Sequence, residues 1–187
     1  IDKYKQWLKQ NYHGEMAYLN NHFEQKANPK ALAHAANSAI VITQNYLPHP
    51  EPTKIPLIKN SRVALYEQGL DYHHWFQQNL QDLCQLLKQS YPNDLFLPFT
   101  DSSPVLERDL AYKAGLGWFG KNTCLINKNL GSLFFIGEIY TSLKINTVLS
   151  LAHDHCGTCS NCIDSCPTKA LSDTPFDATK CISYLTI

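Results

Sequence analysis

The stretch CGTCSNCIDSCP, residues 156–167, has the spacing C-x2-C-x2-C-x3-C-P. This is the run by which bacterial ferredoxins hold cubane iron–sulfur clusters. Two-residue gaps let a tight loop wrap three thiolates around one face of a cubane. The small residues Gly157, Thr158, Ser160 and Asn161 leave room and offer amides to the sulfides. Pro167 turns the chain away after the fourth cysteine. A structural zinc site instead wants two separated C-x2-C pairs. By the ferredoxin pattern, Cys156, Cys159 and Cys162 serve a first cluster and Cys166 a second, which Cys181 can join. Two clusters need four thiolates each, so the ligand set is incomplete within these residues. Either the remaining ligands lie beyond Ile187 or the first cluster has an open iron; the expected reading is the first, a piece trimmed at both ends.

The rest of the composition fits a folded host for that loop. The chain has 187 residues, 44% hydrophobic and 17% charged, enough for one domain plus a small module. Sixteen Lys+Arg balance sixteen Asp+Glu, so no global basic field exists to bind nucleic acid non-specifically. No run approaches the roughly 20 apolar residues of a membrane span. The apolar content excludes a disordered chain. Of seven cysteines, only Cys84 and Cys124 lie outside the 156–181 region. That clustering reads as metal binding in a reducing compartment rather than a disulfide scaffold. Both lone cysteines are expected to be buried thiols. No signal peptide is visible after Ile1.

Upstream, hydrophobic periodicity predicts a helix over residues 2–26, broken near Gly14, and a short helix opened by Asn28-Pro29. Residues 39–46 read as a buried strand and residues 48–56, with four prolines, as a loop. Residues 62–66 suit a short strand. The clearest helix spans 71–90, where Phe76, Leu80, Leu83 and Leu87 share a face. Strands follow at 95–99, 124–127 and 133–143, with a short helix over 105–114 ended by Gly115 and Gly117. The expected class is α/β (α+β): a mixed-sheet domain over residues 1–150, then a ferredoxin-like module over 151–187.

Asp101 follows the apolar segment LFLPF and opens a loop before a helix, which suits projection into a pocket. N-capping of that helix by Asp101 or Ser102 is the competing reading. Trp118 and Phe119, between glycines, suit either stacking or the core. Arg108, Lys113 and Lys121 suit either phosphate contact or a solvated face.

Several segments together resemble the epoxyqueuosine reductase family. They are HGEMAYL (13–19), GLDYHH (69–74), the pair Asp101-Ser102 running into SPVLERDLAYKAGLGWFGKN (103–122), GSLFFIGEI (131–139), CGTCSNCIDSCPTKAL (156–171) and CISYLTI (181–187). The resemblance implies a cobalamin-binding domain followed by the iron–sulfur module. It implies two-electron deoxygenation of epoxyqueuosine to queuosine at the wobble position of a tRNA. Two [4Fe–4S] clusters and cobalamin would be the cofactors, with electrons from an external donor. It assigns the proton donor to Asp101, and cobalamin contacts to Lys26, Ala64, Asp101, Leu125, Ile136 and Ser183. Lys26 stands where the family more often has Arg, and a Lys lacks the bidentate fork. The alternative for Ala64, Leu125 and Ile136 is plain strand core. His73 and His74 suit a half-exposed helix start, with a catalytic or tRNA role as the competing reading. No D-x-H-x-x-G motif for a histidine cobalt ligand is present. A cytoplasmic monomer without membrane contact is expected. The rival readings are a reductive dehalogenase-like cobalamin enzyme, with a tyrosine donor, and a ferredoxin-type electron carrier.

Overall fold

A three-stranded antiparallel sheet organises the chain. The computed structural model describes residues 1–47, 57–58, 61–62, 64–67, 71–146, 150–171 and 175–186. The expected loop over 48–56 lies outside the described residues. The elements in order are α1 (Asp2–Lys9), α2 (Phe23–Ala27), α3 (Pro29–Leu32), β1 (Ser38–Asn45), β2 (Leu57–Ile58) and β3 (Ser61–Arg62). There follow α4 (Tyr72–Ser90), β4 (Phe96–Phe99), α5 (Glu107–Lys113), β5 (Trp118–Phe119), β6 (Leu125–Ile126), β7 (Phe134–Thr141) and α6 (Asn161–Asp164).

The sheet order is β1-β7-β4, with β7 antiparallel to both neighbours. β1 and β4 therefore run the same way, and the path between them passes through α4. That crossover gives the sequence its α/β look. The last strand then inserts between them, so every ladder among the described residues is antiparallel. The expected mixed sheet is corrected accordingly.

β7 divides its side chains between two layers, as the two-residue period of a strand requires. Ile139 and Phe135 face α4, where Phe76, Leu80 and Cys84 complete a core with Phe96 and Ile40 and Ile42 of β1. Gly137 lies on the same face because α4 comes so close. A Cβ there would meet Leu80 Cδ1 at 2.7 Å and Phe76 at 3.0 Å. Phe134, Ile136 and Tyr140 face the other way. They pack with Ala111 of α5, Leu125 of β6, and Val41, Leu97 and Phe99 from the flanking strands. Glu138 lies on this second face, fully buried, in register with Val41 and Phe99.

Most elements match their sequence signals. Asp71 caps α4 by accepting from the His73 amide at 2.9 Å, and Asn28 caps α3. α5 ends at Gly115, whose φ of +77° suits glycine. The N-terminal segment departs from expectation. Its single broken helix is replaced by α1, a 3₁₀ turn at Ala17–Leu19 and α2, with Asn11, Gly14 and His22 all at positive φ. The reason is tertiary. Gly14 passes so close to the C-terminal segment that a Cβ would lie 2.5 Å from Tyr184 Oη. The Glu15 amide donates to that hydroxyl at 3.0 Å, and the Ala178 amide donates to the Tyr12 carbonyl at 3.0 Å. The hairpin of β5 and β6 was expected only in its second strand. The strand expected over 62–66 is corrected to the two-residue β3 and, further on, a 3₁₀ turn at Leu65–Glu67. No helix among the described residues is long and apolar enough to cross a membrane.

Leu80 is 1% exposed at the centre of the α4 interface. Leu80→Ala is expected to cost about 2–5 kcal/mol by loss of burial and a residual cavity. A thermal melt of the intact protein followed by far-ultraviolet circular dichroism checks this. An unchanged midpoint would show that α4 does not anchor the sheet.

Candidate functional site

The loop that leaves β4 meets the start of α4. Thr100 is buried at the strand end, and the Ser103 amide closes a turn on its carbonyl at 2.8 Å. α5 begins only at Glu107, and its N-cap position, Leu106, offers no side-chain bond. Asp101 and Ser102 therefore do not cap that helix. Instead the Tyr72 hydroxyl donates to Asp101 Oδ2, and His73 Nε2 lies 3.6 Å from the same oxygen. His73 Nδ1 is 2.8 Å from Asp71 Oδ1. That bond pulls the Asp71 carboxyl below its ordinary value and pushes the His73 imidazole above its own, with Asp101 adding to the second effect. The Tyr72 ring stacks on Phe135 at 4.2 Å, and burial followed by the bond to Asp101 pushes its phenol up. Tyr72 and His73 thus bring the first turn of α4 to Asp101. His74, 91% exposed, takes no part.

Two cavities meet at this point. The smaller, about 240 Å³, lies among Tyr46, Tyr66, Tyr72, Phe135, Leu125 and Ile136. The larger is an open groove of about 1850 Å³ bounded by α1, α2, the 101–108 loop, β5 and Phe176. Asp101, Glu107 and Arg108 line both. Two carboxyl groups that sequence reasoning missed belong to this region: Glu107 lies in the wall itself, and Glu138 is buried in the sheet under α5. Burial, then the charge of Asp101, pushes Glu107 up to about 7, with Arg108 opposing. Burial, then Glu107 and Asp101, pushes Glu138 up to about 8. Neither oxygen of Glu138 has a hydrogen-bond partner. The signal for Glu138 was a single charge inside the apolar strand FFIGEIYT.

The residues named from the sequence fall into three groups. Asp101, Leu125 and Ile136 surround the smaller cavity, with Leu125 and Ile136 also contributing to the core. Lys26 stands on the larger groove, its Nζ donating to the Leu19 carbonyl at 2.8 Å, and burial lowers its pKa. Exposed Ala64 and Ser183 line neither cavity. Cys84 is buried as expected, whereas Cys124 is exposed on the smaller cavity, because the hairpin turn beside it carries it outward. The three basic residues have separate partners rather than a shared phosphate patch. Arg108 donates to the Thr123 carbonyl at 2.8 Å and Lys113 pairs with Asp109. Lys121 Nζ donates to the Gly157 and Cys159 carbonyls at 2.8 and 3.0 Å.

The cysteine loop suits a cubane. Gly157, at φ +46° with open space around it, turns the chain between Cys156 and Cys159. The backbone amides of Leu171, Thr168 and Ala170 and the Thr168 hydroxyl draw the Cys166 thiol down to about 7, which favours the ligating thiolate. The Trp118 indole N–H points at Cys156 Sγ across 3.5 Å. Among the described residues no three His, Cys, Asp or Glu side chains converge on one ion position. Trp118 is buried and also lines the larger groove, so the cluster loop and the groove share a wall. The groove exceeds the roughly 300–1,000 Å³ of ordinary ligand pockets. Its size, its tyrosine and tryptophan walls and its open mouth suit a macrocycle such as a corrin.

Comparison with known proteins agrees with this geometry. Residues 26–102 match the family described as epoxyqueuosine reductase QueG, DUF1730, and residues 155–187 match the 4Fe-4S double cluster binding domain. An epoxyqueuosine reductase of Cyclobacterium marinum is 42% identical over 99% of this chain and 59% of its own length. The chain thus spans little more than half of that relative. The epoxyqueuosine reductase structure from Streptococcus thermophilus superposes with a TM-score of 0.86 at 26% identity, covering 100% of this chain and 51% of that one. A third, an epoxyqueuosine reductase crystallised with an epoxyqueuosine-modified tRNA stem loop, gives a TM-score of 0.76 at 26% identity over 89% of this chain and 44% of that one. On these matches, the chain belongs to the epoxyqueuosine reductase family.

Proposed function

We propose that the protein reduces epoxyqueuosine to queuosine in the wobble position of a tRNA. The observation that carries this reading is Asp101, a carboxyl group held by Tyr72 on the shared wall of two cavities beside an iron–sulfur loop. In this reading residues 1–150 bind cobalamin and substrate, and residues 151–187 bind the clusters. The protein acts in the cytoplasm as a monomer, fed by an external electron donor. Reductive removal of the epoxide oxygen takes two electrons and two protons and yields an alkene and water. Bound in the groove, cobalamin would supply low-valent cobalt as the two-electron reductant, with the clusters as its source of electrons.

The chain's own residues do the rest. Tyr72 donates to Asp101 Oδ2, which leaves Oδ1 to carry the proton that the departing epoxide oxygen needs. Phe135 and His73 sandwich the Tyr72 ring, which fixes that donor. Lys26, Leu125 and Ile136 line the walls that cobalamin would contact, and Ala64 and Ser183 would join them only from outside the two cavities. Lys121 ties the Gly157–Cys159 turn to the block that carries Asp101. Cys156, Cys159 and Cys162 hold the first cluster, and Cys166 with Cys181 contribute to the second.

Asp101→Asn keeps the shape and the acceptor for Tyr72 but has no proton to give. Turnover of the intact enzyme on epoxyqueuosine-containing tRNA is expected to fall at least about 10²-fold with both cofactor types retained. Undiminished turnover would remove Asp101 from the chemistry. Iron analysis of the intact protein prepared anaerobically is expected to give about eight iron atoms per chain, four for each cubane. A value near four would leave a single cluster.

A further inference from the structure

We propose that Glu107 and Glu138 form a buried proton reserve that refills Asp101 during each turnover. The inference rests on the reading of Asp101 given above and extends it. Deoxygenation consumes two protons, and one carboxylic acid delivers only one before it must be reloaded. The large groove is open to solvent when empty, but a bound macrocycle and a tRNA would cover Asp101 from that side. A second acid behind it is then needed.

Glu107 is placed for that task. It lines both cavities with Asp101 and faces inward from the first turn of α5. Glu138 stands on the face of β7 that α5 covers, opposite Phe99, two residues before Asp101. It is fully buried with both oxygens unpartnered, in a sheet centre that otherwise takes apolar groups. An ionised carboxylate there would be very costly, so Glu138 stays protonated. A partnerless buried acid adds nothing to packing that Leu or Gln would not. Besides Asp101, the charged and titratable groups facing the pair are Arg108 of α5, which acts on Glu107, and Tyr72 of α4 and Tyr140 of β7, whose phenols Glu107 and Glu138 respectively push up. Only Arg108 among them is a cation, and it favours ionisation of Glu107, the member nearer the cavity. The order of release follows. Glu107 passes its proton to the Asp101 carboxylate and recovers one from Glu138, each through an intervening water, since neither oxygen of Glu138 has a direct hydrogen-bond partner. The reserve itself is refilled from solvent after product leaves.

The test is the pH dependence of turnover by the intact holoenzyme. Burial gives Glu138 the higher affinity, so the alkaline limb of the wild-type kcat profile is expected near pH 8. In Glu138→Gln the limb moves down about one unit, toward the value of about 7 held by Glu107. KM for tRNA and the cofactor content stay unchanged. Glu107→Gln breaks the path and lowers kcat severalfold across the range. Gln at position 138 is expected to fold. The native state must keep Glu138 protonated while the unfolded chain releases that proton above about pH 4.5, so wild-type stability falls as pH rises from there to about 8, and Gln removes that fall. An infrared pH titration of the wild-type protein is independent of any variant, and a protonated carboxyl C=O stretch is expected to persist through pH 7. Profiles of both variants that overlay the wild type, or no such band above pH 6, overturn the reserve. If Asp101→Asn is itself active, the proton-donor reading has failed instead. If Asp101→Asn is dead and both Glu variants are normal, only the reserve has failed.

Discussion

The absence of a side chain at Gly137 lets α4 settle onto β7 within van der Waals range of Leu80 and Phe76. That approach fixes the height and direction of α4 across the sheet. Its first turn then overhangs the end of β4, where Tyr72 and His73 reach Asp101. Phe135, two residues before Gly137, supplies the platform on which Tyr72 stacks. One strand therefore sets both the core and the orientation of the candidate acid. A larger residue at 137 would lift α4, open the core and move Tyr72 away from Asp101 together. Stability and function are coupled through this single contact.

The opposite face of β7 carries a different constraint. Ordinary cores keep charge out, and a buried acid without a partner is a standing cost. Here Glu138 sits between Val41 and Phe99 in register, under α5, with Glu107 and Asp101 as its electrostatic neighbours. Burial and the charge of Asp101 raise the proton affinity of Glu107 and Glu138, which suits chemistry that consumes protons. Perturbed groups lying behind a cavity wall mark a functional site more clearly than the cavity itself.

Sequence reasoning found what local chemistry dictates. The α4 face of Phe76, Leu80, Leu83 and Leu87, the Asn28 cap and the Gly115 stop all depend on near neighbours, and all are present. The cysteine spacing is equally local. What it missed depends on distant segments. The 2–26 region repeats apolar residues at helical spacing, yet docking of residues 175–186 bends it into separate turns. The direction of the strands was hidden because β7 joins the sheet after β1 and β4. Asp101 was legible as a candidate, but its partner Tyr72 was read only as part of a motif, and Glu107 was passed over beside Arg108. Glu138 was not singled out, since a single sequence does not reveal that α5 covers its face of the strand. Cys124 was misjudged for the related reason that a hairpin turn exposes it.

The proposed function requires that the groove hold cobalamin and that the groove and the iron–sulfur loop share one wall. Trp118, between the groove and Cys156, and Lys121, between the Asp101 block and the Cys156–Cys159 turn, make that wall a single unit. The most direct test is anaerobic reconstitution of the intact protein with iron, sulfide and cobalamin, followed by gel filtration, absorbance and electron paramagnetic resonance. The account predicts that a cobalt(II) corrin signal elutes with the protein beside the signals of reduced cubanes. Cubane signals with no retained corrin would contradict it, and the chain would then be an electron carrier with Asp101 reduced to a structural hydrogen-bond acceptor.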